Sequence, residues 1–164
     1  MKPISRPFAF ATAAFVVAGL SVTAIAETKI SLPRNYRHWF HINSTIVDKT
    51  SPMFATVGGF HSSYVSPGSV AMLRNNQPLP DGTILVDDVH EVTVTDGTSA
   101  EGARKGVGVM VRNEKKYADT GGWGFQAFIA GDPKKPFVTD PAKQCFACHQ
   151  GAKDHQYVFS TYIP

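Results

Sequence analysis

Thr83-Ile84-Leu85-Val86-Asp87-Asp88-Val89-His90-Glu91-Val92-Thr93-Val94-Thr95 reads as the clearest β-strand in the chain. Its apolar positions are mostly β-branched, and in its second half Val92 and Val94 alternate with threonines, the period of a half-buried strand. Asp96-Gly97 ends it with turn chemistry. Moving outward, Lys105–Arg112 alternates Val107, Val109 and Val111 against Gly106, Gly108 and Met110, and Trp123–Ala130 alternates again through Phe125, Ala127 and Ile129. Phe60–Val65 reads as a short strand stopped by Pro67-Gly68. Tyr36–Val47 is aromatic and then β-branched, and Tyr157–Ile163 is a last β-like run. Loops are expected over 48–59 and 75–82, where Pro, Gly and Asp cluster. Short strands separated by such turns predict a mainly β (α+β) fold: an antiparallel sheet domain with a few short helices, at Ser69–Leu73 and around the two cysteines.

The chain has 164 residues and a formal net charge of +3. Lys2 and Arg6 open it, Phe8–Ala26 is an almost unbroken apolar run, and Ala24-Ile25-Ala26 is a small-x-small cleavage pattern. Residues 1–26 therefore read as a signal peptide rather than a retained anchor, with residues 27–164 as one exported domain, periplasmic given the bacterial look of the leader. No later stretch is apolar enough to span a bilayer, so no membrane association is expected after cleavage. No Lys/Arg run suggests nucleic acid, and Lys115-Lys116 and Lys134-Lys135 read as solvated turn residues. Asn43-Ser44-Thr45 fits a glycosylation acceptor but is read as chance.

The two cysteines of the chain sit three apart, in Cys145-Phe146-Ala147-Cys148-His149. C-x-x-C-H is the attachment pattern for haem c. Thiols at that spacing reach the two vinyl groups of one haem, and the next residue brings its imidazole to the iron from the same side. One covalently attached haem c close to the C-terminus is the expectation, with Cys145 and Cys148 as thioethers and His149 as the iron ligand. Three other readings fit the motif less well. A thioredoxin-like redox pair calls for a βαβ setting that the pattern lacks. Zinc calls for about four ligands, and no second paired motif supplies them. A local disulfide has no need of His149.

The sixth position of the iron decides what such a protein does, because electron carriers fill it and ligand-binding haems leave it open. Met53, in the Ser51-Pro52-Met53-Phe54 loop, is the candidate methionine; Met72 is a further one, and Met110 reads as core. His38, His41, His61, His90 and His155 read as surface or hydrogen-bonded histidines. Phe40, Phe54, Phe60, Phe125, Phe128 and Phe137 are available to line a pocket, although most are expected to be ordinary core. An apolar wall beside the iron offers no hydrogen bond to dioxygen and so favours nitric oxide or carbon monoxide.

Four stretches resemble the cytochrome P-460 family, which includes the cytochromes c′-beta: Leu32-Pro33-Arg34-Asn35-Tyr36-Arg37-His38-Trp39, Leu79-Pro80-Asp81-Gly82-Thr83-Ile84-Leu85-Val86, Gly121-Gly122-Trp123-Gly124-Phe125, and Cys145–His149 followed by Tyr157-Val158-Phe159. The resemblance implies a β-rich homodimer with a five-coordinate haem c, and it puts Phe54 and Phe60 in the segment that supplies aromatics on the ligand side. In the family's hydroxylamine-oxidising members a lysine at the end of the Asp-Gly-Thr strand is cross-linked to the haem. The matching position here is Asp87, and no lysine occurs between Lys49 and Lys105. That departure points to the cytochrome c′-beta branch and to a protein that binds small gaseous ligands such as nitric oxide. The alternatives are a periplasmic electron-transfer cytochrome working with a redox partner protein, and an oxidoreductase acting on hydroxylamine or another small nitrogen compound.

Overall fold

The structure is a computed structural model and describes residues 29–164; the signal-peptide reading of residues 1–26 lies outside the described residues. Five strands, β1 (Phe40–Val47), β2 (Gly59–Val65), β3 (Ile84–Thr95), β4 (Thr98–Arg112) and β5 (Trp123–Ile129), form one antiparallel sheet in sequential order. The helices are short: α1 (Phe54–Val57), α2 (Val70–Arg74) and α3 (Ala147–His149), with 3-10 turns and one π-helical turn over Ala142–Phe146. The mainly β expectation is met.

β3 and β4 are joined by Asp96-Gly97, with Thr95 opposite Thr98. Both turn residues have positive φ, 49° and 77°. That is the mirror-image turn that matches the twist of a hairpin, and Gly97 adopts it without steric cost. The strand character of β4 begins at Thr98, seven residues before the alternation starts at Lys105. Pairing across this tight turn extends the ladder through a stretch whose sequence carries no period-two signal.

Two further departures from the sequence reading concern 48–59 and the C-terminus. α1 forms inside the expected loop, its carbonyl at Phe54 accepting from the Gly58 amide at 2.8 Å. A Cβ on Gly58 would lie 2.4 Å from the Phe54 ring, so only glycine lets that ring close over the end of the helix. Tyr157–Ile163 is not a strand. Gln156 and Tyr157 both have positive φ, 57° and 64°; Val158 is buried and Ser160 bonds Ser63, while Phe159 and Ile163 are exposed.

Alternation along β3 separates two cores. Leu85 belongs to a cluster with Ile42, Val65, Leu79, Trp123, Phe125 and Val158, against which Cys145 and Phe146 pack. Val86 belongs to the opposite cluster with Tyr36, Tyr64, Val107, Val109 and Phe128, covered by Ile30, Leu32 and Trp39.

The next two residues, Asp87 and Asp88, split the same way. Asp88 is completely buried on the Val86 side. Its carboxylate accepts from Tyr36 Oη at 2.9 Å, Arg37 at 2.9 Å, Arg104 at 2.7 and 3.1 Å, and the His90 ring at 3.1 Å. Arg37 continues to Glu101 at 2.8 Å. A buried carboxylate persists only when its lone pairs are used in this way. Burial and the bond to Asp88 raise the pKa of Tyr36, keeping it a donor. Removing one partner of a buried charge cluster leaves the others uncompensated, so Asp88→Ala is expected to cost about 3–5 kcal/mol in chemical denaturation. A loss below about 1 kcal/mol would contradict the role given to Asp88.

Candidate haem site

The Leu85 core is built where the C-x-x-C-H segment lands. The π-helical turn over Ala142–Phe146 runs directly into α3, so Cys145, Cys148 and His149 share about one and a half turns. Cys145 is half-buried and Cys148 exposed. Burial, with a smaller contribution from Cys148, pushes the Cys145 thiol up to about 11. Gln144 fixes the start of the turn by accepting from the Thr139 and Asp140 amides, each at 2.7 Å.

His149 is oriented from two sides. Its Nδ1 donates to the Tyr157 carbonyl at 2.7 Å, which fixes the tautomer and leaves Nε2 with a free lone pair. Metal-binding histidines are characteristically held by such a bond from the other ring nitrogen. Its ring lies 5.0 Å from that of Phe125 and 5.1 Å from that of Phe159. Burial holds its pKa below the ordinary histidine value, against the opposing pull of the Tyr157 carbonyl and of Asp87, so the neutral ring that a metal requires is favoured.

The Tyr157 carbonyl is placed in turn by close packing. Trp123 Nε1 donates to the Gln156 carbonyl at 2.8 Å, the Gln156 side chain accepts from the Leu79 amide at 2.7 Å, and the Tyr157 ring lies 5.1 Å from Phe146. Gly121 makes this possible: a Cβ there would lie 2.5 Å from the Tyr157 ring. The Gly121-Gly122-Trp123 motif thus serves the orientation of His149.

Beside His149 the sheet offers three cross-strand rows on one face. The first is bulky and apolar: Val65, Leu85, Met110 and Phe125. The second is small or polar: Ser63, Asp87, Gly108 and Ala127. The third is His61, Val89, Gly106 and Ile129. A Cβ on Gly108 would meet nothing nearer than Asp87 at 3.9 Å, so the middle of this face is a shallow trough. A flat floor of small residues next to an oriented imidazole and two thiols fits a planar, covalently held macrocycle.

The polar row is a continuous hydrogen-bonded chain. Ser160 donates to Ser63 at 2.7 Å, Ser63 donates to Asp87 at 3.2 Å, and the His61 ring bonds Asp87 through Nδ1 at 2.7 Å and the Val57 carbonyl through Nε2 at 2.6 Å. Ser160 follows Phe159, so the chain links the segment flanking His149 to α1.

The residues singled out in the sequence separate here. Cys145, Cys148 and His149 lie together on the π-helical turn and α3. Phe54 lies on α1, which the His61–Val57 bond ties to the far end of the same face. Phe60 does not join them. It is out of phase with His61, Ser63 and Val65 along a regularly paired strand, and so falls on the Tyr64 side of the sheet. Met53 is exposed just before α1, while Met72 and Met110 pack against the apolar core. The pairing of His61 with Asp87 has no signal in the sequence, where Asp87 stands out only as the position at which a lysine is absent. Lys105 lies at the edge of this region, donating to the Gly58 carbonyl and 4.0 Å from Glu91.

An oriented histidine beside two thiols on a β-sheet face defines a haem-binding β domain. A family model described as cytochrome P460 matches residues 33–160. The chain belongs to the cytochrome P460 family and is a haem cytochrome. No curated protein matches it.

If the trough seats the macrocycle, Gly108→Leu fills it without harming the strand. The variant is expected to keep the far-ultraviolet circular dichroism of the parent while its haem absorption bands shift or weaken. Unchanged haem bands would place the ring elsewhere.

Proposed function

We propose that this chain carries one haem c, attached through Cys145 and Cys148 with His149 as the iron ligand, and that it binds nitric oxide at an open sixth position. The leader 1–26 delivers the domain to the periplasm in this reading. Bound haem supplies an iron centre able to take up a small diatomic ligand. His149 holds the iron, the Tyr157 carbonyl fixes the ring, and Phe125 and Phe159 flank the imidazole.

The observation that carries the reading is that the proton donors of the polar row are committed. His61 uses both ring nitrogens, Ser63 donates to Asp87 and Ser160 donates to Ser63. His61 therefore has no lone pair for iron. The row also offers no donor to a bound ligand: Asp87 is an acceptor, and the adjoining Val65, Leu85 and Met110 are apolar. Bound dioxygen is strongly polar and needs a hydrogen bond; nitric oxide does not. At position 87 a carboxylate held by His61 and Ser63 stands where a cross-linking lysine would be required, which argues against hydroxylamine oxidation.

Absorption spectroscopy of the purified protein tests this. Haem is expected to stay with the chain through acid–acetone extraction and to leave the Cys145→Ala/Cys148→Ala variant. The ligand-free iron is expected to be high-spin in both redox states, unchanged by Met53→Ala. The ferrous form is expected to bind nitric oxide and to oxidise, rather than form a lasting adduct, in air. A low-spin ligand-free spectrum that Met53→Ala converts to high-spin would instead support the electron carrier. Turnover of hydroxylamine with an artificial acceptor would support the oxidoreductase.

A further inference from the structure

His61 stands between two oxygen atoms. Nδ1 lies 2.7 Å from Asp87 Oδ2 and Nε2 lies 2.6 Å from the Val57 carbonyl. A neutral imidazole carries one N–H, so one of these short contacts would set a nitrogen lone pair against an oxygen lone pair. Both are satisfied together only by the imidazolium, which donates at each nitrogen. At these lengths they are charge-assisted hydrogen bonds.

The Val57 carbonyl is the last of α1, and the next carbonyl, Gly58, accepts from Lys105. Two cations thus cap the end of a four-residue helix too short to be stable alone. α1 carries Phe54, whose ring lies over Gly58, and Met53 and Phe54 are both exposed at the edge of the trough.

We propose that protonated His61 is a latch that holds the Phe54–Val57 helix at the mouth of the trough, and that loss of its proton loosens the helix and widens access to the iron. This rests on the open-iron reading above. His61 is a positioning residue, acting through Val57 and Phe54 rather than on the ligand. The groups that face it are Asp87 on β3, Lys105 on β4, Ser63 through Asp87, and the Val57 carbonyl. Burial opposes its charge. The Asp87 bond and charge, with the Val57 carbonyl, outweigh burial and the repulsion from Lys105, and its pKa is raised. The sign follows: the latch is closed at low and neutral pH and opens as pH rises through the raised value. Lys105 still holds Gly58 at that point, so the helix loosens and does not leave.

The test uses the haem-loaded protein, with nitric oxide and then carbon monoxide mixed with the ferrous form across pH 6–10. In the wild type the association rate is expected to climb several-fold along a single titration. In His61→Gln, where one side-chain nitrogen cannot bridge both oxygens, it is expected to be fast and nearly flat. The nitrogen-15 shifts of the His61 ring and the protection of the Val57 and Gly58 amides from hydrogen exchange are expected to titrate at the same midpoint, and Asp87→Asn to lower it. A ring already neutral at pH 6, amide protection that ignores the titration, or coincident rate profiles for wild type and His61→Gln would overturn the latch. Failure of both gases to bind at any pH would overturn the open-iron reading, while ring shifts and amide exchange would still report on the latch.

Discussion

Asp87 and Asp88 are neighbours in the chain and face opposite sides of the sheet. That follows from the period of two in a strand, and much of the structure depends on it. A slip of one residue in β3 would send the buried carboxylate to the haem side and bring Val86 out of its core. The Asp88 cluster guards against such a slip. Five hydrogen bonds from Tyr36, Arg37, Arg104 and His90 converge on a side chain with no access to water. They fix the register of β3 against β4 and against the N-terminal segment. With that register set, Asp87 has its place in the trough.

The haem side is arranged as a set of supports for one imidazole. Gly121 lets Tyr157 approach, Trp123 and Gln156 hold the chain at that point, and the Tyr157 carbonyl takes the Nδ1 proton of His149. None of these residues touches Nε2, the atom that would hold iron in the proposed site. They decide which way it points and that it is unprotonated. The polar row then extends from the segment after Phe159 to α1, with its donors turned inward to protein acceptors.

Much of this was legible in the sequence. The five strands were visible because their apolar positions are β-branched or aromatic and their breaks are Gly, Pro and Asp. The Cys145-Phe146-Ala147-Cys148-His149 motif was visible because it is a local spacing pattern. What stayed hidden depends on partners distant in the chain. Asp88 carried no local sign of its cluster, since Tyr36 and Arg37 lie some fifty residues away. The pairing of His61 with Asp87 needs the β2–β3 register, which no local pattern states. Phe60 was placed with Phe54 by the family resemblance alone, and the β2–β3 register puts it on the Tyr64 face. Tyr157–Ile163 has the apolar and aromatic composition of a strand, but the positive φ of Gln156 and Tyr157 turns the chain out of the ladder.

The central claim is an iron held by His149 alone among protein side chains, with its sixth position open. Resonance Raman spectroscopy of the ferrous, ligand-free protein tests it most directly, because the iron–histidine stretch is seen only in five-coordinate high-spin haem. The account predicts that this band is present, and that it shifts when Gly121→Ala displaces Tyr157 and disturbs the bond to His149 Nδ1. A six-coordinate low-spin pattern with no iron–histidine band would contradict it.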